Sequence, residues 1–269
     1  MIFHTIQEER VPALGFGTYT LRGRECSTSV EHAIDLGYRH IDTAQAYANE
    51  VEVGRGIAAA PVDRDEVFLT TKIGRSNLQP ERVRTSTEKS LHKLGTPYVD
   101  LLLIHWPDDD VPLERTLAAM LELQNEGKTL HIGVSNFSPR LVERAAEHAP
   151  IFCNQVEFHP FLAQDALTRQ AEEFNYLLTA YSPIARGRVS DEETLREIGR
   201  RHGKSAIQVT LRWLIQQPNV AAIPKASSTE HRAANFDIFD FELTEDEMDH
   251  IAGLARGSRI VDPAWAPAW

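Results

Sequence analysis

Cysteine is scarce: the 269 residues contain Cys26 and Cys153, and no CxxC pair. Two cysteines are too few for a disulfide framework, so a reducing compartment is the simpler expectation. Cys153 lies within an apolar run and reads as a small buried hydrophobe. Long apolar runs are missing as well. None approaches the roughly 18 residues of a membrane span, and the polar, acid-bearing stretch from Met1 to Val11 does not read as a secretory signal. Positive charge is in deficit, with 28 lysines and arginines against 39 acids and a formal net charge of -11. That balance argues against non-specific partners such as nucleic acid or an anionic membrane surface. A cytoplasmic protein is the expectation.

Several motifs of nucleotide, metal and nucleophile sites are also absent. Gly15-Phe16-Gly17 begins like a dinucleotide fingerprint but lacks its third glycine. There is no P-loop, and GVSNF lacks the final glycine of a nucleophile elbow. No HExxH occurs and the 11 histidines are scattered, so no metal is expected.

What is present is an ordinary globular composition, 42% hydrophobic and 25% charged, long enough to bury a large core without disulfides. Short apolar runs at 13–17, 40–42, 67–71, 99–104, 130–134, 152–157, 177–181 and 220–223 read as strands buried on both faces. Amphipathic stretches at 81–94, 113–124, 141–148, 165–173, 192–201 and 206–216 read as helices between them. Helix starts are marked by Ser138-Pro139 and by the capping-box pairs Ser190/Glu193 and Thr244/Glu247; Gly127 and Gly203 mark stops. Strictly alternating strands and helices imply parallel strands with right-handed crossovers. Eight strands in one domain spanning 1–269 favour a closed (β/α)8 barrel over an open doubly wound sheet, with a short hairpin before Ala13 capping its lower end.

In such a barrel, reacting groups sit at the carboxyl ends of the strands. Asp42 and Tyr47 follow the second strand, Lys72 ends the third, and His105 and Trp106 end the fourth. Asp42 and Lys72 come from adjacent strands, so an ion pair is expected. An ammonium beside a phenol is expected to lower the pKa of Tyr47 and make it a proton donor near neutral pH, while a neutral His105 would align a carbonyl oxygen. Each residue alone has a plainer reading: a loop aspartate, a solvated lysine, a packing tyrosine, a core histidine. Four of them at three successive strand tips point to a site.

The segments DTAQAYANE, TTKIG, LLLIHWP, GVSNFS and AIPKASS, in that order, resemble the motifs of the aldo-keto reductase family. The match runs from about Val11 to the C-terminus and looks most like the branch with 2,5-diketo-gluconate and methylglyoxal reductases. The resemblance implies a (β/α)8 barrel that binds NADPH without a Rossmann domain, usually as a monomer, with Asp42, Tyr47, Lys72 and His105 as a catalytic tetrad. It implies that Ser135, Asn136 and Gln155 bond the nicotinamide carboxamide and that Tyr181 stacks on the ring. Ser182, Pro183 and Ile184 would touch the pyrophosphate, and Gly17, Thr18 and Tyr19 would line the nicotinamide end with Asp42. Lys225, with Ala226, Ser227, His231 and Arg232, would meet the 2'-phosphate, and Asn235 the adenine. Tyr19, Tyr47, His105 and Trp106 would contact the substrate.

The chain also departs from the family pattern. Ala226 replaces a serine after Lys225, His231 stands where an arginine is usual, and Ala234 replaces an acid before Asn235. Lys225 is thereby left as the main phosphate clamp. Gly74 stands where a tryptophan is usual, which removes one aromatic wall and predicts a wider mouth, lined by Tyr19, Trp106, Trp265 and Trp269. The implied activity is hydride transfer from NADPH to small aldehydes or ketones, such as 2-oxoaldehydes or diketo-sugar acids. Two alternatives are a Schiff-base aldolase using Lys72 and a non-catalytic NADPH-binding regulatory barrel.

Overall fold

The computed structural model describes residues 1–267. It opens with an antiparallel hairpin of β1 (Phe3–Ile6) and β2 (Glu9–Pro12), turned by Gln7 and Glu8, which both take positive φ. Strands and helices then alternate: β3 (Phe16–Gly17), α1 (Gly23–Leu36), β4 (His40–Asp42), α2 (Glu50–Ala59), β5 (Phe68–Ile73), α3 (Pro80–Leu94) and β6 (Val99–Ile104). They continue through α4 (Leu113–Asn125), β7 (Thr129–Ser135), α5 (Pro139–Ala146), β8 (Cys153–Glu157), α6 (Asp165–Phe174) and β9 (Leu177–Tyr181). The sequence of elements ends with α7 (Glu193–His202), α8 (Ala206–Gln216), β10 (Val220–Ala222), α9 (Thr229–Phe236) and α10 (Glu245–Ala252).

Among the described residues, β3 to β10 form eight strands in sequence order, each parallel to the next. The sheet closes where Leu14 bridges Ala222; the Ala222 N–H donates to the Ala13 carbonyl at 2.8 Å, and the Gly15 N–H to the Ala222 carbonyl at 2.8 Å. Glycine is required at this seam. A Cβ on Gly17 would stand 2.7 Å from the Ile223 carbonyl oxygen. The expected barrel and its hairpin are both present.

The period of two along each strand sorts the side chains into two cores. Leu69, Ile73, Leu102, Ile104, Ile132, Val134 and Val156 face the helices and build the sheath between strands and helices. Phe68, Leu101, Leu103, Phe152, Cys153, Leu177 and Ala221 face the barrel axis, where Ile6 and Val11 of the hairpin plug the lower end. The same inward parity, continued up each strand, reaches Asp42, Lys72, His105, Ser135, Gln155 and Tyr181.

Local expectations fared unevenly. Thr244 and Glu247 form the expected capping box, and Gly203 ends α7 at φ 67. Ser190 does not cap α7: it lies in the 3-10 segment Ala185–Asp191, bent by left-handed Arg186 and Gly187, and Glu192 takes the N-cap position. Ser138 stands at the N-cap of α5 with Pro139 following, but its side chain makes no capping bond. The first barrel strand is shorter than expected, because only Phe16–Gly17 and the Leu14 bridge keep ladder pairing.

Candidate active site

The upper layer of the barrel axis is polar and largely buried. Lys72 is fully buried, and its Nζ lies 2.6 Å from Asp42 Oδ1. It also donates to the Thr43 carbonyl at 2.8 Å and to Tyr47 Oη at 3.4 Å. Those three acceptors take up the three N–H bonds of an ammonium, which is the geometry of a fixed cation. Burial pulls the Lys72 pKa down, opposed by Asp42. The other Asp42 oxygen accepts from Gln155 Nε2 at 2.8 Å, so the carboxylate is satisfied on both sides. Behind it, fully buried Thr18 holds the Asp42 carbonyl through its N–H and its Oγ1, at 3.0 and 2.9 Å.

Tyr47 reaches this layer from a short 3-10 turn, Gln45–Tyr47, and its ring packs between Tyr19 and His105 at centroid distances of 5.1 and 5.7 Å. The expected lowering of its pKa is overturned. Burial pushes the phenol well above its ordinary value, and the charge of Asp42 and the neighbouring Tyr19 add to the rise. The Lys72 cation, at the long end of hydrogen-bond range, does not offset them. Tyr47 therefore stays a loaded O–H donor across the neutral range. His105 behaves as expected of a neutral ring, with its pKa pulled down to about 3 by burial and by the Lys72 charge.

Beside the tetrad runs a second hydrogen-bond chain. Tyr181 Oη donates to Asn136 Oδ1 at 2.7 Å, and Asn136 Nδ2 donates to the His105 carbonyl and to Ser135 Oγ, both at 3.0 Å. Ser135 Oγ in turn donates to the Gln155 carbonyl at 2.7 Å. Asn136 sits at φ 63, a left-handed position that asparagine tolerates. Ser135, Asn136 and Gln155, expected around a carboxamide, are thus brought together with Tyr181, expected on the ring, by one chain of hydrogen bonds.

The loops place the remaining residues differently. Ser182 follows β9 at φ 50, and Pro183 is buried while Ile184 is half-buried. Lys225, Ser227 and His231 are exposed, and Ser228 caps α9 by accepting from the His231 N–H at 3.1 Å. Asn235 is buried in α9. Arg232 faces inward: its guanidinium bonds Ser29 Oγ and the carbonyls of Ala226 and Ser227 at 2.9, 3.2 and 2.8 Å. Those bonds hold the loop from its buried side. An exposed ammonium on a loop braced from behind, followed by a capped helix, suits a phosphate, and a Ser/Asn/Gln cluster suits a primary amide. The residues present therefore fit NADPH.

At the mouth, buried Trp106 meets exposed Trp265 edge to face at 5.0 Å, and Arg75 lies over the Trp265 ring at 5.0 Å. Trp269 lies outside the described residues. A Cβ on Gly74 would meet nothing nearer than Gln45 Oε1 at 3.7 Å, so the space left by a missing side chain there is real. Sequence reasoning missed Glu157. Its carboxylate, inward and fully buried at the tip of β8, accepts the Ile260 and Val261 N–H groups, each at 2.7 Å, and His159 Nε2 at 3.0 Å. The strand parity that turns Gln155 inward turns Glu157 inward as well.

A parallel barrel whose carboxyl rim carries a buried lysine–aspartate pair beneath a tyrosine defines an α/β-barrel enzyme. The sequence profile of the aldo/keto reductase family matches residues 13–256, and the chain belongs to that family of oxidoreductases. A methylglyoxal reductase (DkgB) of Salmonella typhi is 38% identical over 267 residues, covering 96% of this chain and 99% of the relative. A solved structure named for 2,5-diketo-D-gluconic acid reductase B superposes with a TM-score of 0.97 at 44% identity, covering 100% of this chain and 98% of the other. A Bombyx mori aldo-keto reductase determined in complex with NADP superposes at 0.90 with 32% identity, covering 97% and 95%.

Proposed function

We propose that the protein reduces small aldehydes or ketones with NADPH, with Tyr47 as the proton donor. The observation that carries this reading is the assembly of buried Asp42 and Lys72 with half-buried Tyr47 and His105 in one layer beside the Ser135–Asn136–Tyr181 chain. When bound, NADPH supplies the hydride that the carbonyl carbon accepts. Ser135, Asn136 and Gln155 hold the carboxamide, Tyr181 flanks the ring, and Lys225 takes the 2'-phosphate. Ser182 to Ile184 and Tyr19 line the path between those ends. Tyr47 gives its proton to the carbonyl oxygen as negative charge develops there. The Lys72 ammonium, held by Asp42, stabilises the phenolate left behind. Neutral His105 donates a hydrogen bond to the same oxygen and fixes its direction.

The open space at Gly74 supports a substrate class that includes branched carbonyls alongside 2-oxoaldehydes and diketo-sugar acids. The three acceptors around Lys72 leave no free amine for a Schiff base, which weighs against an aldolase. The test is NADPH oxidation at the nicotinamide absorbance with methylglyoxal, a 2,5-diketo-gluconate and neutral aldehydes, run in parallel with NADH. Turnover faster with NADPH than with NADH is the expected result. Tight NADPH binding with no turnover on any carbonyl would instead identify a regulatory barrel.

A further inference from the structure

A second polar cleft lies on the flank of the barrel, outside the tetrad. Its volume is about 390 Å³, and it runs between α3 and the turn that carries Tyr47. Positions 82, 86, 89, 90 and 93 recur at three- and four-residue spacing, so Arg82, Lys89, Ser90 and Lys93 share one stripe of α3. The stripe gives the cleft three cations and no carboxylate among its lining residues. This stands out in a chain with a net charge of -11.

The neighbouring face of α3 shows what an ordinary solvated face looks like here. There Arg84 is bonded to Glu126, and Lys128 lies 2.6 Å from Glu88. On the cleft face, Lys93 has a 3.4 Å contact to buried Glu50, Arg82 donates to the Ser76 carbonyl, and Lys89 has no partner among the described residues. Two buried polar atoms point the same way. Ser90 is 1% exposed and its Oγ lacks a hydrogen-bond partner, as does Gln45 Nε2. Buried polar atoms without partners are costly and rare, and both of these line the cleft.

We propose that this cleft binds a small multivalent oxyanion, inorganic phosphate or a phosphate monoester. Lys89 and Arg82 supply the charge, and Ser90 Oγ and Gln45 Nε2 donate the hydrogen bonds that fix the anion. Gln45 already accepts the Gly74 N–H at 3.0 Å and Asn77 Nδ2 at 2.9 Å, and it begins the turn that ends in Tyr47. A bound anion therefore completes the bonding of the residue that anchors the turn carrying Tyr47. The inference does not depend on the reductase reading, because its test is direct binding.

The purified chain is titrated calorimetrically with inorganic phosphate against chloride at equal ionic strength. Saturable 1:1 binding is expected, weakened about tenfold by Lys89→Gln and about fivefold by Ser90→Ala, as loss of a charge-assisted hydrogen bond predicts. Ser90→Ala removes an unsatisfied hydroxyl, so its thermal stability stays equal to wild type or rises, which separates a lost site from a lost fold. Binding should persist in Lys225→Ala, which removes the exposed cation on the loop before α9. Absence of saturable heat up to tens of millimolar, or binding lost in Lys225→Ala and kept in Lys89→Gln, overturns the proposal. Where binding is seen, steady-state assays identify the source. Competition with a phosphorylated carbonyl but not with a neutral one marks the anion as a substrate's tail, and an effect on kcat for both marks it as a free effector.

Discussion

The rim of the barrel divides into a buried half and an exposed half, and the two are built differently. Asp42, Lys72 and Gln155 project from strand interiors, lose almost all contact with solvent, and satisfy one another. Lys225, Ser227 and His231 project from a loop and a short helix into solvent, with Arg232 bracing the loop from behind. Strand residues inherit their direction from the sheet, so the chemical half is assembled by the same pairing that closes the barrel. The exposed half rests on one loop and one short helix, so its side chains can be changed without disturbing the fold.

The sharpest way to test that division is at Tyr47. Tyr47→Phe keeps the ring packed between Tyr19 and His105 while removing the proton. Carbonyl reduction should fall by about 10²–10⁴-fold in kcat, the range for losing a general acid, with NADPH affinity nearly unchanged. Retention of full activity would remove Tyr47 from its role.

The next effect is on stability. Lys72→Met leaves Asp42 as a buried unpaired carboxylate, which should cost about 3–5 kcal/mol in urea unfolding. The double variant Asp42→Leu/Lys72→Met should regain part of that loss, because it removes both charges. If the single variant unfolded like wild type, the buried half would not be the rigid one.

At the exposed half, Lys225→Ala should raise the KM for NADPH by about tenfold and leave that for NADH within about twofold, with kcat and melting temperature unchanged. A drop in melting temperature would show that this lysine also carries structure.

The smallest effect concerns pH. His105 has its folded pKa pulled to about 3, below the unfolded value of 6.5. Between those values the unfolded chain binds the extra proton, so stability is intact above about pH 6.5 and declines as pH falls toward 3. His105→Gln should flatten part of that decline in unfolding measured at pH 7 and pH 5. An unchanged slope would place the acid sensitivity in buried His40 and half-buried His131, whose pKa values are also lowered by burial.

The same division governs what could be read from the chain. The eight barrel strands announce themselves as apolar runs, and their ends locate Asp42, Lys72 and His105 without any knowledge of relatives. Tyr181 and Gln155 needed the family motifs, because a tyrosine or glutamine ending a strand has many ordinary uses. Two helices were not read at all. In α2, Gly54 and Gly56 depress helix propensity, yet Gly54 is where a Cβ would stand 2.2 Å from the Leu94 carbonyl oxygen, so close packing against α3 hid the helix. In α1, serines, threonine and the uncapped start at Gly23 blurred the pattern that Cys26, Val30, Ala33 and Ile34 carry. The direction of the Tyr47 pKa was not legible either, since a neighbouring lysine is visible in sequence and the depth of burial is not.

Glu157 gives the C-terminal segment a fixed mooring. One carboxylate, rooted in a barrel strand, holds two consecutive backbone N–H groups at Ile260 and Val261. Trp265, which lies against Trp106 and beneath Arg75, follows four residues beyond that knot. Position 262 is therefore a natural splice point: a foreign tail joined after Val261 inherits an anchored origin at the rim, whereas a cut before Ile260 strands a buried anion beside His159.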